Sequence, residues 1–314
     1  MSDIHDYEPL FGSYMINRLL GEGGFGEVYE VSNKLLDMEI KRAVKVIHVP
    51  DEDILNKIKR KMQIVIQLGD HDNIVSIENY TYKPGEQGGD LLILMELLTS
   101  LTTKLKSDTL SHDEVKKLGI HICRALILCN EHNVIHQDIK PANIFISKNG
   151  DYKLGDFDVA RIKNDDPNRT FAGTPYFMAP EVNNRVNYDF RTDIYSLGLT
   201  MYYLLNENCL PFQNDNDNSF LEQRMKGEVI TMISDVDPAL SSIVLKACAY
   251  NPDDRFANAA DMCEALEKLG KIEEPIHTNK QPALIRMEEE LYNTAVTIED
   301  ENNTSFEIIT PTTK

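Results

Sequence analysis

One octapeptide decides the fold of this 314-residue chain: His136-Gln137-Asp138-Ile139-Lys140-Pro141-Ala142-Asn143. It brings a carboxylate, an ammonium group and a carboxamide close together in the sequence. Two strand-like runs follow it, Ile144-Phe145-Ile146 and Tyr152-Lys153-Leu154. The acidic triplet Asp156-Phe157-Asp158 comes after them, and Ala179-Pro180-Glu181 closes the segment beyond it. Because each piece is short, the information lies in their order and spacing.

A glycine-rich segment lies near the start of the chain: Gly21-Glu22-Gly23-Gly24-Phe25-Gly26-Glu27-Val28. Its glycines let backbone amides approach a polyphosphate without obstruction by side chains. Taken alone it fits a glycine-rich hairpin equally well. A dinucleotide-binding fingerprint would open a helix here, whereas Val28-Tyr29-Glu30-Val31 continues with β character. Ala43-Val44-Lys45-Val46 then places a lysine in a strand after the glycine loop.

This ordered set resembles the protein kinase family, in particular the serine/threonine branch of bacterial style, over residues 12–270. The resemblance implies an α+β, two-lobed fold. A small, mostly β N-lobe with one helix would span about residues 12–95, and a larger, mainly helical C-lobe about residues 99–270. Residues 1–11 would form an N-terminal extension. The acidic, threonine-rich composition of residues 271–314 predicts a disordered tail.

Local patterns agree with this division. Apolar residues recur on one face of a predicted helix over residues 51–68. Residues 77–82 and 91–95 are predicted to form antiparallel strands, because a turn-rich segment joins them. Ser111 and Glu114 have the capping-box spacing and predict a helix that begins there.

The resemblance also implies catalytic roles. Phosphoryl transfer is catalysed mainly by positioning and charge neutralisation. Asp138 would be the catalytic base, Lys140 would contact the γ-phosphate, and Lys45 would hold the phosphates. Asn143 and Asp156 would bind the metal. ATP with Mg²⁺ or Mn²⁺ is the implied cofactor, and serine or threonine hydroxyls of protein substrates are the implied acceptors.

The implied nucleotide site combines the glycine loop, the lysine strand and a hinge. Met95 would be the gatekeeper beside the adenine, and main-chain groups near Glu96 and Leu98 would contact the base. The complete predicted set is Gly21, Glu22, Gly23, Gly24, Phe25, Gly26, Val28, Ala43, Lys45, Met95, Glu96 and Leu98.

Two further motifs imply structural roles. Asp193-Ile194-Tyr195-Ser196-Leu197-Gly198 resembles the buried helix whose aspartate ties the catalytic loop in place. Asn251-Pro252-Asp253-Asp254-Arg255 resembles the segment whose arginine pairs with the glutamate after Ala179-Pro180, which predicts an ion pair between Arg255 and Glu181.

The first departure from the family pattern lies in the predicted helix. That helix should carry a glutamate that pairs with Lys45, yet residues 54–69 contain no acid and the matching position is Lys61. Two cations about 4 Å apart repel by roughly 4 kcal/mol at an effective dielectric constant near 20. We therefore expect either a helix swung outward or a Lys61 side chain turned to solvent.

Two more departures lie near the catalytic loop. Gln137 stands where many members have the arginine that receives a phosphate from the activation segment. Asp158 replaces a glycine, and its bulk and charge leave both inactivation and altered metal binding open. The sequence thus predicts a serine/threonine kinase of full or reduced activity. The alternative is a pseudokinase that binds nucleotide and acts as a scaffold or allosteric partner.

Charge and cysteine content limit the other function classes. The 32 basic and 51 acidic side chains give a net charge of −19, which argues against nucleic acid or an anionic membrane as the main partner. The five cysteines are scattered without a C-x-x-C pair, so free thiols in a reducing cytoplasm are expected. No apolar run within the chain is long enough for a membrane helix, although an anchor beyond Lys314 stays open.

The threonines of the tail suggest a second role. Thr297-Ile298-Glu299-Asp300 has an acidic residue three positions after the threonine, similar to motifs read by phosphothreonine-binding domains of the forkhead-associated type. The hypothesis is an autophosphorylated platform for such a partner, and the alternative is a solvated linker. Thr170 and Thr174 are competing phosphorylation sites.

Overall fold

The computed structural model describes residues 4–270 apart from 24–25, 36–37, 69–70, 86–87, 158–160, 163–175, 185, 187 and 214–218. These residues form two compact units. The first contains the residues before Asp70 together with Val75–Leu98, and the second contains His71–Ile74 and the residues from Thr99 onward.

The first unit is an antiparallel sheet with one helix, which confirms the mostly β half of the predicted α+β fold. A 3-10 helix covers Ile4–Tyr7. The sheet and its helix are β1 (Met15–Gly23), β2 (Gly26–Leu35), β3 (Met38–Val49), α1 (Glu52–Leu68), β4 (Ile77–Pro84) and β5 (Gly89–Glu96). The strand order is β1-β2-β3-β5-β4, with every neighbour antiparallel. The predicted helix and strand pair are therefore confirmed.

The sheet buries both faces because apolar side chains alternate along its central strands. On one face, a core of sheet residues that includes Val44 and Leu92 packs with Ile4 and Leu10. On the other face, Leu91 and Ile93 pack with residues of α1. Helix α1 thus covers the face to which Lys45 belongs, because Lys45 is the cross-strand partner of Ile93.

Residues 4–11, which the sequence analysis sets apart as an extension, contribute to the core of the first unit. Leu10 is 1% exposed. The hydroxyl of Tyr7 donates to Asp90 Oδ2 at 2.8 Å, and His48 Nδ1 lies 3.0 Å from Asp90 Oδ1. Apolar burial and a polar anchor therefore hold this segment against the sheet.

The second unit is mainly helical, which confirms the other half of the predicted fold. Its helices are α2 (Leu101–Leu105), α3 (His112–Glu131), α4 (Pro180–Asn183), α5 (Arg191–Leu205), α6 (Phe220–Met225), α7 (Pro238–Ala247) and α8 (Ala259–Glu267). Its short strands are β6 (Thr99–Ser100), β7 (Val134–Ile135), β8 (Ile144–Ile146), β9 (Tyr152–Leu154) and β10 (Arg161–Ile162), with 3-10 helices at Pro141–Asn143 and Pro252–Asp254. The central helix α5 packs against α3 and α7, and α3 also packs against α8.

Local contacts explain where α3 begins and how β8 and β9 pair. The hydroxyl of Ser111 accepts from Glu114 N, and Glu114 Oε2 accepts from Ser111 N, so the predicted capping box begins α3. The β8-β9 hairpin pairs Ile144 with Leu154. Within the described residues, no disulfide joins any of the five cysteines.

A buried ion pair links α4 to the segment before α8, as predicted. Arg255 Nη1 and Nη2 donate to the two carboxylate oxygens of Glu181 at 2.6 and 2.7 Å. The arginine side chain is 0% exposed and also donates to Arg191 O, at the start of α5. Removing one partner of such a pair leaves an uncompensated charge in the interior.

Replacing Glu181 with alanine is expected to lower the free energy of unfolding by about 3–5 kcal/mol, because Arg255 stays buried without its carboxylate. Urea denaturation measures the change. The matched control is Glu264→Ala, since Glu264 and Lys268 also form a 2.6 Å ion pair but are 65% and 71% exposed. That substitution should cost less than about 1 kcal/mol. Equal losses in the two variants would contradict this account.

The ring of His121 supports β9 in its neutral form. Tyr152 N donates to His121 Nδ1 at 3.1 Å, so this ring nitrogen carries no proton. Burial lowers the pKa of His121 from its usual 6.5, Lys117 and Arg124 lower it further, and Asp151 raises it. The folded state therefore binds fewer protons than the unfolded state near and below about pH 6.5.

From this sign, the contribution of His121 to stability is complete above about pH 6.5 and is lost as the pH falls through the lowered folded pKa. In His121→Asn, whose side-chain oxygen can still accept from Tyr152 N, the free energy of unfolding should depend less steeply on pH between about 7.5 and 5.5. Denaturant titrations across this range test the prediction. Parallel curves for the variant and the original chain would contradict it.

Candidate active site

The carboxylate of Asp138 lies at the centre of a small polar cluster in the second unit. Asn143 Nδ2 donates to Asp138 Oδ2 at 2.8 Å and to Asp138 O at 2.7 Å. Lys140 Nζ lies 3.1 Å from Asp138 Oδ2. Asp138 and Asn143 are both buried. The structure thus gathers three of the predicted site residues within hydrogen-bond distance of one another.

The loop that carries these residues is anchored to α5 by Asp193. His136 N donates to Asp193 Oδ2 at 2.7 Å, and Gln137 N donates to Asp193 Oδ1 at 2.8 Å, as the sequence predicted. Asp193 is 3% exposed, and burial raises its pKa, while the two backbone donors and His136 act in the opposite direction. Each carboxylate oxygen accepts a hydrogen bond from a backbone amide, so this anchor fixes both the position and the direction of the loop.

His136 connects the loop to Asp156. Asp138 N lies 3.3 Å from His136 Nδ1, and His136 Nε2 lies 3.0 Å from Gly155 O. The ring satisfies both contacts when Nδ1 accepts and Nε2 donates. The ring of Phe157 packs edge-on against it, with 4.8 Å between the centroids. The residues on both sides of Asp156 are thereby held by His136.

Asn143 and Asp156 have donor atoms that fit a hard divalent cation. The amide nitrogen of Asn143 is committed to Asp138, so Oδ1 is the atom that this side chain can offer to a metal. Gly155 N donates to Asn143 O at 2.9 Å and brings the chain next to Asp156 close to Asn143. Asp156 has a left-handed backbone, with φ of 59°. One carboxylate and one amide oxygen suit Mg²⁺, which takes its remaining ligands from water and phosphates.

The predicted phosphate-binding residues of the first unit lie on neighbouring strands. Lys45 pairs with Val28 on β2 and with Ile93 on β5, and Ala43 pairs with Met95. Because cross-strand partners share a face, these residues belong to the face of the sheet that α1 covers. The register therefore places Lys45, Val28 of the glycine-rich segment and Met95, the predicted gatekeeper, on the same face.

The last glycine of the loop is required by its surroundings. Gly26 has φ of 114°, a conformation that L residues rarely adopt. A Cβ atom built there would lie 1.9 Å from Val46 O. Alanine at this position would therefore displace β2 from β3.

The predicted hinge begins at Glu96, whose side chain is already engaged. Glu96 Oε1 accepts from Ser76 N at 2.8 Å, and Glu96 N donates to Ser76 O at 3.2 Å. The predicted contact to adenine at this residue would therefore be made by its carbonyl oxygen, since its amide already donates to Ser76 O. Leu98 is the last residue of the Val75–Leu98 segment of the first unit, and the second unit continues from Thr99.

The sequence analysis missed two polar groups that the structure places near these strands and loops. Glu30, 5% exposed, accepts from Lys41 Nζ and Arg18 Nε at 3.0 Å each. The bond from Lys41 is the main cause of its lowered pKa, which burial opposes. Asn73 Nδ2 donates to Tyr152 O at 3.0 Å, and Leu154 N donates to Asn73 O at 2.8 Å. The contacts of Glu30 follow from the register of neighbouring strands. Those of Asn73 join distant segments, and only a motif search around His71 could have indicated them.

Several predicted residues lie outside the described residues: Gly24, Phe25, Asp158, Thr170, Thr174 and the tail over 271–314. Lys61 belongs to helix α1, but the structure does not describe its side chain. The two expectations for Lys61 therefore stay predictions.

A model of the protein kinase domain matches residues 14–268 of the chain. The chain belongs to the protein kinase family, which confirms the resemblance drawn from its motifs. The family uses ATP and divalent metal ions and phosphorylates proteins. Across the described residues, no helix is both long and apolar enough to cross a membrane.

The relatives include kinases from bacteria and plants. The serine/threonine-protein kinase PknB of Mycolicibacterium smegmatis is 31% identical over 81% of this chain and 42% of its own length. The CBL-interacting serine/threonine-protein kinase 5 of Arabidopsis thaliana is 30% identical over 81% of this chain and 57% of its own length. PrkC of Bacillus subtilis is 28% identical, over 80% and 39% respectively. The chain thus spans about half the length of the curated relatives it matches.

Proposed function

We propose that this chain is a serine/threonine protein kinase that transfers the γ-phosphoryl group of ATP to serine or threonine hydroxyls of proteins, with Mg²⁺ or Mn²⁺. The observation that carries the proposal is the contact set of Asp138, whose carboxylate meets Asn143 at 2.8 Å and Lys140 at 3.1 Å on a loop anchored by Asp193. Relatives whose names specify serine/threonine kinases support the choice of acceptor.

The side chains of the cluster divide the work of a phosphoryl transfer. Asp138 accepts the proton of the acceptor hydroxyl and holds its oxygen in line with the phosphorus atom. The ammonium group of Lys140, which lies next to Asp138, neutralises charge on the γ-phosphate. Lys45 does the same for the phosphates held by the glycine loop. Each group acts mainly by position and charge.

The metal belongs to the same scheme. When bound, Mg²⁺ or Mn²⁺ would supply positive charge that stabilises the negative charge of the transferring phosphate. The carboxylate of Asp156 and Oδ1 of Asn143 would hold it. The bond from Asn143 Nδ2 to Asp138 then ties the metal ligand to the base, so a shift of Asn143 changes both.

We further propose the domain limits, the location and the partners of the protein. The kinase domain spans residues 12–270, with the N-lobe over about 12–95 and the C-lobe over about 99–270. The protein acts in the cytoplasm on protein substrates, and neither nucleic acid nor membrane is a partner within this chain. The tail over residues 271–314 serves as the autophosphorylated platform for a phosphothreonine-binding partner.

Replacing Asp138 with asparagine is expected to lower the rate of phosphoryl transfer by at least about 100-fold, because the amide cannot accept the hydroxyl proton. Purified protein is incubated with labelled ATP, Mg²⁺ or Mn²⁺ and a basic protein substrate. The control is Asp261→Asn, which makes the same chemical change on the exposed side of α8. Equal transfer by Asp138→Asn and the original chain would contradict the proposal.

The composition of α1 favours a second candidate, a pseudokinase that keeps nucleotide binding but transfers phosphate poorly. No acid occurs in residues 54–68, and the helix covers the sheet face that holds Lys45. This part of α1 therefore supplies no carboxylate to the sheet face to which Lys45 belongs. Thermal stabilisation by Mg-ATP without transfer would favour the pseudokinase, whereas transfer above the Asp138→Asn background excludes it.

Lys61→Glu is expected to raise the rate of transfer by about tenfold, which requires only about 1.4 kcal/mol of transition-state stabilisation. In the family pattern this position carries the glutamate that pairs with Lys45, so we expect the substitution to supply an attraction in place of a repulsion. Arg60→Glu is the matched control, because it changes the charge equally at the neighbouring exposed position of the helix. An unchanged rate in Lys61→Glu, or the same gain in Arg60→Glu, would show that this ion pair does not limit the rate.

A further inference from the structure

The residue directly before the catalytic base is held at its backbone and at its side chain. Gln137 N donates to Asp193 Oδ1 at 2.8 Å. Gln137 Nε2 donates to the hydroxyl oxygen of Tyr188 at 3.2 Å. Because the first contact reaches α5 and the second reaches the connection before α5, Gln137 is tied to two different segments of the second unit.

Gln137 needs this support because its backbone is left-handed, with φ of 67°. A glutamine gains nothing from this conformation, and residues held in it depend on the surrounding contacts. Asp138 follows at once, so a relaxation of φ at Gln137 would turn the Asp138 carboxylate away from Asn143 and Lys140. The orientation of the base is therefore sensitive to what holds Gln137.

Ion pairs lie on both sides of Tyr188 in the sequence. Before it, α4 carries Glu181, which is paired with Arg255. After it, Asp189 accepts from Arg191 Nε at 3.0 Å and from Arg191 N at 2.9 Å, at the start of α5. A half-buried tyrosine between two such anchors presents its hydroxyl at a defined position.

The pair is also matched in charge. The carboxamide of Gln137 and the phenol of Tyr188 are both neutral, so their contact requires no counterion. An arginine, which many family members have at this position, would carry a positive charge that suits an anionic phosphate. In this chain the uncharged side chain of Gln137 donates to an uncharged acceptor, the hydroxyl oxygen of Tyr188.

We propose that Tyr188 is a positioning residue for phosphoryl transfer, which acts through its hydrogen bond to Gln137 to hold the catalytic loop in the conformation that orients Asp138. The kinetic consequence rests on the proposed function. The structural consequence concerns only the loop and can be measured on the protein without any substrate.

Hydrogen exchange of the backbone amides in residues 134–143 tests the structural consequence. In Tyr188→Phe, which keeps the ring and removes only the hydroxyl, exchange in this peptide should become about fivefold faster, as expected for the loss of one neutral hydrogen bond. Tyr250→Phe is the matched control, because it removes a hydroxyl from an exposed ring of the same unit. Exchange in Tyr188→Phe within about twofold of the original chain would overturn the proposal.

Kinetics test the consequence for transfer. Tyr188→Phe should lower kcat about fivefold with the KM for ATP changed less than about twofold, because a positioning contact alters the oriented base and leaves the residues of the nucleotide site in place. Gln137→Leu should have the same effect, and the double variant should be no slower than either single variant. Multiplying effects in the double variant, or an unchanged kcat in Tyr188→Phe, would overturn the proposal.

The two measurements separate this inference from the proposed function. A chain without transfer above the Asp138→Asn background contradicts the proposed function, and the exchange experiment then decides the role of Tyr188 alone. An active chain whose loop exchanges equally in Tyr188→Phe and in the original contradicts the inference and leaves the proposed function in place.

Discussion

The proposed active site depends on the two hydrogen bonds that the carboxylate of Asp193 accepts. Its two oxygens accept hydrogen bonds from the backbone amides of His136 and Gln137, with N–O distances of 2.7 and 2.8 Å. These are two successive residues of the loop that carries Asp138. From these two amides the remaining contacts follow in sequence. His136 connects to Gly155 and so to Asp156, while Gln137 leads directly to Asp138 and its cluster. A carboxylate buried without such donors would be costly, so the anchor and the loop stabilise each other.

Helix α5 provides the rigid base for this arrangement. Its side chains are buried along almost its whole length, and it packs against α3 and α7. The ion pair of Arg255 and Glu181 reaches the same helix, because Arg255 Nη1 also donates to Arg191 O. The catalytic loop and the α4 segment are thus fixed to one element by separate polar contacts. Sites built on such elements are held more precisely than sites on free loops.

The sequence predicted the parts of this site that follow from ordered motifs. Asp193 and the pair of Glu181 with Arg255 were correctly assigned, because each belongs to a motif with a fixed place in the family. The contact of Gln137 with Tyr188 could not be predicted, since 51 residues separate the two and no spacing rule relates them. The burial of Glu30 also escaped prediction, because a glutamate in a strand is ordinarily exposed and its partners Arg18 and Lys41 come from neighbouring strands. Ile4 and Leu10 lack a periodic pattern, so their packing against the sheet depends on tertiary structure.

The most direct test of this account is the rate of phosphoryl transfer by Asp193→Asn. The substitution preserves the size of the side chain but puts an NH₂ group opposite one of the two loop amides, so one of the hydrogen bonds becomes a repulsion between donors. We predict that the variant folds, as shown by its circular dichroism, and that kcat falls by at least about 100-fold, which corresponds to about 2.7 kcal/mol. A folded Asp193→Asn whose kcat stays within about threefold of the original chain would contradict the claim that this carboxylate holds the catalytic loop in its active form.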